Sequence, residues 1–304
     1  MKEKLIVILG PTAVGKTRFA VKLADKFNGE IISADSRQVY KRMNIGTGKD
    51  LNDYRINNRK IPYHLIDVID PSEEFDLFHF QKLFRGTFKK ILSQKHIPFL
   101  VGGTGLYIHS ILKNYQLLET EFNSSRQLEL ESLSVEELKS LVIAIRPDTH
   151  NTTDLIEKKR MIKSILISEQ KKYVAEKNDL DLKAFVIGLK DEIETIKANI
   201  TNRLKKRFEN GMIDEVEELI SSGITYEKLN FFGLEYKFIG RYIRGDLNYN
   251  DMFQKLNSSI HKFAKRQMTW FRKMEREGVD IYWIDKGMEN DINPLIKKYL
   301  MEDH

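Results

Sequence analysis

Leu5-Ile6-Val7-Ile8-Leu9-Gly10-Pro11-Thr12-Ala13-Val14-Gly15-Lys16-Thr17 decides the fold. Leu5 to Leu9 is a short continuous apolar run bounded by glycine, which predicts a strand buried on both faces. Thr17 to Phe27 then places Phe19, Ala20, Leu23, Ala24 and Phe27 at helical spacing. The segment between them fits the phosphate-binding loop pattern, in the strand–loop–helix context that its mechanism needs. Glycines let the loop aim backbone N–H groups inward, and the helix N-terminus adds partial positive charge. Lys16 supplies a point charge, and the Thr17 hydroxyl suits a magnesium ion bridging two phosphates. Gly10, Pro11, Thr12, Ala13, Val14, Gly15, Lys16 and Thr17 are therefore candidate diphosphate-binding residues, with Thr17 the candidate metal ligand. Whether the diphosphate belongs to a nucleotide stays open at this point.

Outward from this segment, Glu30 to Ala34, His64 to Val68 and Ile97 to Val101 read as further buried strands, and Phe78 to Leu92 as a helix. Strands alternating with helices predict an α/β fold with a doubly wound parallel sheet. From Ile111 to Leu182 the pattern turns charged and helix-forming, with a break at Pro147, before Ala184 to Leu189 restores a strand. The expected organisation is a core of residues 1–110 and 183–304 with a helical insertion at 111–182. Ile193, Ile196, Ile200, Leu204, Phe208 and Met212 predict one long amphipathic helix, with Arg203 and Arg207 beside its apolar stripe. A last long helix is expected over Asn257 to Glu277, followed by a small strand at Val279 to Ile284.

The chain of 304 residues is 41% hydrophobic, enough to bury a sizeable core. No stretch approaches the roughly 18 apolar residues of a membrane span, and Met1-Lys2-Glu3-Lys4 leads into too few apolar residues for a signal peptide. A cytoplasmic protein is expected. There is no cysteine, which excludes disulfides, thiolate zinc sites and a cysteine nucleophile. Lys and Arg exceed Asp and Glu by 50 to 44, a net charge of +6, which favours a polyanionic partner only if it gathers on one face.

Three further segments carry chemistry. Ser33-Ala34-Asp35-Ser36-Arg37-Gln38-Val39-Tyr40 places an acid at the carboxyl end of a strand, where ligands of open α/β sheets bind. Asp35 there suits magnesium ligation or proton abstraction, and Gln38 the edge of an adenine. The same segment equally fits an Asp capping a helix that begins at Ser36. Val101-Gly102-Gly103-Thr104-Gly105-Leu106-Tyr107 lets backbone approach a substrate closely at another strand end. Enzymes that hydrolyse nucleotides usually carry an acid after such a strand; here glycines follow, and Asp67 is the remaining candidate for that role. Finally, His261 to Lys273 interleaves cations with aromatics: Ile260, Phe263, Ala264, Gln267 and Phe271 fall on one side, leaving Lys262, Lys265, Arg266, Thr269, Arg272, Lys273 and Arg276 on a basic side that can track a phosphate backbone or simply be solvated.

Taken in order, GPTAVGKT (10–17), ADSRQVYK (34–41), IGTGK (45–49), PYHLIDVIDP (62–71), PFLVGGTGLYI (98–108), RFENGMIDEV (207–216) and AKRQMTWFR (264–272) resemble the bacterial tRNA dimethylallyltransferases, the isopentenyl-diphosphate:tRNA transferase family. The resemblance implies a P-loop NTPase-like core turned to prenyl transfer, with 111–182 as the inserted helical domain that grips the anticodon stem-loop. It implies transfer of a dimethylallyl group from dimethylallyl diphosphate to N6 of adenosine 37 of tRNA, with Mg2+ as cofactor and the chain acting as a monomer. Asp35 would take the proton of the attacking amine and share the metal with Thr17; Lys16, Thr17 and Arg207 would hold the departing diphosphate, and Thr104 would lie beside the reacting groups. Asp35, Ser36, Arg37, Gln38, Thr104, Lys159, Arg160, Met161, Ile162, Lys163, Lys265 and Arg266 would meet the tRNA. Lys159 to Lys163 stands where the family has a Gln-Arg pair and a second basic residue, and Phe232 to Tyr236 only approximates its Ile-Gly-Tyr segment. Competing readings are an adenylate isopentenyltransferase of the cytokinin type and a P-loop small-molecule kinase; the basic aromatic helix and the insertion favour tRNA over both.

Overall fold

The computed structural model describes residues 3–56, 58–117, 124–145, 158–170 and 180–302. In chain order its strands are β1 (Glu3–Leu9), β2 (Gly29–Ser33), β3 (Arg55–Ile56), β4 (Arg59–Lys60), β5 (Tyr63–His64), β6 (Ile97–Gly102), β7 (Leu182–Lys190) and β8 (Ile281–Asp285). Six of them form one sheet in the order β5-β2-β6-β1-β7-β8, every pairing parallel, while β3 and β4 make a separate antiparallel ribbon. The helices are α1 (Lys16–Lys26), α2 (Leu77–Ser93), α3 (Gly105–Leu112), α4 (Ser124–Ser132), α5 (Val135–Ile145), α6 (Lys158–Gln170), α7 (Ile193–Glu209), α8 (Met212–Ser221), α9 (Tyr226–Phe232), α10 (Leu234–Ile243), α11 (Tyr249–Arg276) and α12 (Asn293–Met301). The chain divides into two compact units, Met1–Lys113 with Leu180–His304, and Asn114–Asp179.

In the first unit the pleat sorts each strand's residues between two cores. Leu5, Val7 and Leu9 of β1 join Ile32 and Leu100 in a core closed by α2, α3, α7, α8, α9, α10 and α11. Ile6 and Ile8 face the other way and join Ile31, Phe99, Ile187, α1 and α12. Because both faces are covered, the strands are apolar at successive positions rather than at alternate ones, which is why Leu5 to Leu9 reads as an unbroken run. Asp76 caps α2 by accepting from the His79 N–H at 3.0 Å, and Asn248 caps α11 by accepting from the Asp251 N–H at 2.9 Å. No helix among the described residues is long and apolar enough to cross a membrane.

Several elements differ from the expected ones. The strand expected at His64 to Val68 shrinks to Tyr63–His64, because Leu65 and Asp67 take positive φ values of 62° and 55° and turn the chain out of the sheet. The single helix expected from Ile193 to Met212 is two. Gly211, at φ 88°, ends α7 and starts α8, so Met212 packs from a different helix and Ile193 is exposed. The last long helix begins at Tyr249 rather than Asn257, since Met252 and Leu256 extend the buried stripe of Ile260, Ala264, Gln267, Phe271 and Met274. Phe263, expected among those buried residues, is 40% exposed.

The second unit is helical among its described residues. Its core is Leu130, Leu138, Val142, Met161, Ile162, Ile165 and Leu166. Ser134 and Glu137 exchange a reciprocal capping box at the start of α5, and Arg126 on α4 pairs with Glu169 on α6 at 2.6 Å. Ile111 and Leu182 fall in α3 and β7 of the first unit, so the helical segment is shorter at both ends than the expected 111–182. Pro147 lies outside the described residues.

Phe84 on α2 is fully buried, with its ring stacked on Phe88 at 5.5 Å, whereas its neighbour Leu83 is 38% exposed. Phe84→Ala should lower the unfolding free energy by about 3–5 kcal/mol and Leu83→Ala by under about 1 kcal/mol. Urea unfolding checks both, and equal losses would contradict the assignment of the buried helix face.

Candidate active site

A cavity of about 1350 Å³ opens where β1, β2 and β6 end, lined by the loop before α1, the turn after β2, the glycine-rich turn after β6, and side chains from α7 and α11. Carboxyl ends of parallel strands are where the loops of an open α/β sheet leave room for a ligand. The loop at 10–17, the segment at 33–38 and the glycine-rich turn at 102–106 therefore converge on one space.

At one wall, Gly15 takes φ 99° and releases the chain into α1, whose first N–H groups have no intrahelical acceptor and point toward the cavity end of the helix. Lys16 Nζ donates to the Pro11 carbonyl at 2.7 Å. Arg203, one turn before Arg207 on α7, donates to the Thr12 hydroxyl. Arg207 is buried, with its guanidinium 3.3 Å from both the Gly46 carbonyl and Glu235. Burial draws the Lys16 pKa down to about 7, with Arg203 adding to the effect and Asp35 opposing it. Burial and then Arg207 likewise draw Arg203 down to about 10, against Glu235, Asp50 and Asp35. The wall thus gathers three part-buried or buried cations, of which Arg207 is paired with a carboxylate, Glu235, and such a surface suits an anion.

Across the cavity, Asp35 follows β2. It accepts from the Arg37 N–H at 2.9 Å through Oδ1, closing a turn rather than starting a helix, so the capping reading fails and a carboxylate oxygen stays available. Thr104 comes from the turn after β6, and its hydroxyl accepts from the Ser36 N–H at 3.1 Å, which brings Thr104 beside Asp35. Gln38 donates to the Gly48 carbonyl at 3.3 Å and accepts from the Ser33 hydroxyl at 3.3 Å. Burial lowers the Arg37 pKa. Its guanidinium lies 4.9 Å from the centre of the Phe231 ring, an exposed aromatic.

Gln267 on α11 ties the two walls together. Its Oε1 accepts from the Thr12 N–H at 2.8 Å and its Nε2 donates to the Gly103 carbonyl at 2.9 Å. A Cβ on Gly103 would stand 2.3 Å from that Nε2, so a larger residue there would push the amide off its bond to the Gly103 carbonyl. Phe263, Arg266 and Trp270 of the same helix line the cavity, whereas Lys265 faces solvent. Arg266, exposed like Lys265 as expected, also borders the cavity.

Among the sequence-derived candidates, Thr12, Ala13, Val14, Gly15, Lys16, Thr17, Asp35, Ser36, Arg37, Gln38, Thr104, Arg207 and Arg266 line this one cavity. Gly10 and Pro11 form the start of the same loop. Met161 and Ile162 lie in the second unit, where both are buried and hold its helices together. The side chains of Lys159, Arg160 and Lys163 fall outside the described residues. Asp67, considered as the acid of a hydrolase, is paired with the buried Lys49 and is not part of the cavity lining. Arg203 received no role from the sequence, although its spacing of four from Arg207 on a helix is the signal that both reach one face. Gln267 was assigned to the apolar side; a lone amide in a buried stripe is the mark of a hydrogen-bonding duty.

The family model described as IPP transferase matches residues 38–274, and that described as isopentenyl transferase matches residues 3–62. The chain is 49% identical over 298 residues to "tRNA dimethylallyltransferase 1" of Geotalea uraniireducens, covering 97% of this chain and 95% of that one. It is 46% identical over 302 residues to "tRNA dimethylallyltransferase 2" of Syntrophotalea carbinolica, covering 99% of this chain and 100% of that one. The crystal structure of the tRNA isopentenylpyrophosphate transferase of Bacillus halodurans superposes with a TM-score of 0.71 at 32% identity, over 98% of this chain and 97% of that one. With a match of this length in sequence and a fold shared end to end, the chain belongs to the IPP transferase family.

Proposed function

We propose that this protein transfers the dimethylallyl group of dimethylallyl diphosphate to N6 of adenosine 37 in tRNA, giving N6-isopentenyladenosine and diphosphate. The observation that carries this reading is one cavity holding a cationic diphosphate wall opposite an acid, Asp35, and an amide, Gln38. In the reaction the N6–C1 bond forms as the C1–O bond to diphosphate breaks, and N6 loses a proton. An exocyclic adenine amine is a weak nucleophile, so the work lies in placing it, taking its proton and stabilising charge on the leaving group. Asp35, fixed by its own turn and by the Ser36–Thr104 contact, is the base. Gln38 reads the adenine edge, exchanging its present contact with Gly48. Lys16, Arg203 and Arg207 and the N-terminus of α1 receive the diphosphate.

Thr17 and Asp35 both line the cavity and supply oxygen donors suited to magnesium. No cluster of three or more His, Asp or Glu side chains placed to hold a metal occurs among the described residues, so the diphosphate itself and water would complete the coordination. Magnesium, when bound, neutralises charge on the diphosphate. The helical unit and Lys265, with the other exposed cations of α11, are the proposed grips on the anticodon stem-loop, the protein acting as a monomer in the cytoplasm.

Incubation with magnesium, labelled dimethylallyl diphosphate and either unmodified tRNA or adenosine monophosphate, followed by mass analysis of nucleosides, tests the reading. Label in tRNA adenosine alone is expected; label on the mononucleotide would point to a free-nucleotide prenyltransferase, and label on neither would return the kinase reading. Asp35→Asn should slow transfer by roughly 10²–10⁴-fold while tRNA affinity in a filter-binding titration stays within about twofold. Normal turnover in that variant would remove Asp35 as the base.

A further inference from the structure

Outside the residues already given roles, one buried carboxylate is unusual for its partners. Glu215 on α8 is 8% exposed and is met by four donors, none of them a cation. Its Oε2 accepts from the N–H groups of Asn44 and Ile45, each at 2.7 Å. Its Oε1 accepts from the Gly46 N–H at 2.9 Å and from the Tyr236 hydroxyl at 2.8 Å. Three consecutive backbone N–H groups gathered on one carboxylate fix the loop's position as well as its shape. The loop closes on itself through Gly48 N to Ile45 O at 3.1 Å and Lys49 N to Asn44 O at 2.9 Å, and the Lys49 ammonium is buried against Tyr40 O and Asp67.

The loop's other side faces the cavity. The Gly46 carbonyl accepts from Arg207, and the Gly48 carbonyl accepts from Gln38. There is no slack between these contacts: a Cβ on Gly46 would lie 2.6 Å from the Tyr236 ring, and one on Gly48, at φ 66°, would lie 1.7 Å from Arg207 Nη2. We propose that Glu215 is a positioning residue that, through the 44–48 loop, sets Arg207 and Gln38 together, so that the diphosphate-holding cation and the adenine-reading amide share one support. This rests on the reading of Arg207 and Gln38 given above. Glu215 itself touches neither substrate; it acts through the loop carbonyls.

Glu215→Gln keeps the shape but turns an NH2 toward at least one backbone N–H group, so one or two of the backbone bonds are lost and the loop must shift. Tyr236→Phe removes a single donor and leaves the three backbone bonds. Two readouts are taken on each variant after circular dichroism and thermal melting: the affinity for inorganic pyrophosphate with magnesium, and kcat and KM for labelled dimethylallyl transfer to tRNA. Glu215→Gln should weaken pyrophosphate binding roughly tenfold and lower kcat/KM for transfer by about 10–100-fold, with Tyr236→Phe intermediate. In Arg207→Ala, the added Glu215→Gln change should weaken pyrophosphate no further, because its route to that ligand is already gone. A lower melting temperature with unchanged pyrophosphate affinity and unchanged KM would make Glu215 a packing residue and overturn the inference, as would full additivity with Arg207→Ala. If Glu215→Gln does not fold, Tyr236→Phe carries the same decision. The pyrophosphate arm does not depend on the acceptor, so an absence of transfer to tRNA in the parent protein would refute the proposed function while this arm still decides on Glu215.

Discussion

Holding several cations close together in a part-buried wall is the constraint on which the site depends. Lys16, Arg203 and Arg207 share one wall of the cavity, and burial pulls the first two toward their neutral forms. Such a cluster repels itself, and hydrogen bonds to nearby oxygens hold it in place. The Pro11 carbonyl takes the Lys16 ammonium, the Thr12 hydroxyl takes Arg203, and Glu235 with the Gly46 carbonyl takes Arg207. These partners are mostly neutral oxygens, which satisfy hydrogen bonds without cancelling charge. The charge is left for a ligand, and an anion of the compactness of a diphosphate is the complement that relieves the repulsion.

From that wall the architecture follows. A parallel sheet covered on both faces fixes where β1, β2 and β6 end, and the three turns that carry Lys16, Asp35 and Thr104 leave from those ends. Gln267 on α11 then spans from the phosphate loop to the glycine-rich turn, so the helix with the exposed basic face is bonded directly to both walls of the cavity. The long stripe of α11 that packs on the core keeps that amide in place. One rigid helix thereby holds the phosphate loop and the glycine-rich turn in register.

Much of this was legible in the order of residues. Leu5 to Thr17 shows a strand, loop and helix because the apolar run, the glycines and the helical spacing are all local features. Asp35 and Thr104 could be assigned to strand ends for the same reason. What was hidden depends on pairings distant in sequence. Glu215 shares the stripe of Met212, Val216 and Leu219, unlike the exposed Glu217 and Glu218, but its partners Asn44, Ile45 and Gly46 lie across roughly half the chain. Asp67 reads as a strand-end acid until the positive φ at Leu65 and Asp67 carries it to Lys49. The division between α7 and α8 was visible as Asn210-Gly211, but the apolar period continues across it through Met212 and masks the break. Phe263 departs from its expected place because a helical wheel knows one buried face, whereas α11 has a core face and an adjoining cavity face.

The most direct test of the cation wall is a calorimetric titration of inorganic pyrophosphate with magnesium near pH 8, in buffers of different ionisation enthalpy. With its pKa near 7, Lys16 is mostly neutral at that pH, and an anion beside it raises the pKa, so binding should draw in up to about one proton and strengthen as pH falls toward 7. Lys16→Arg, which stays charged throughout, should bind pyrophosphate without that uptake. Equal proton uptake in both proteins, or none in the parent, would contradict the account of a desolvated cluster awaiting its diphosphate.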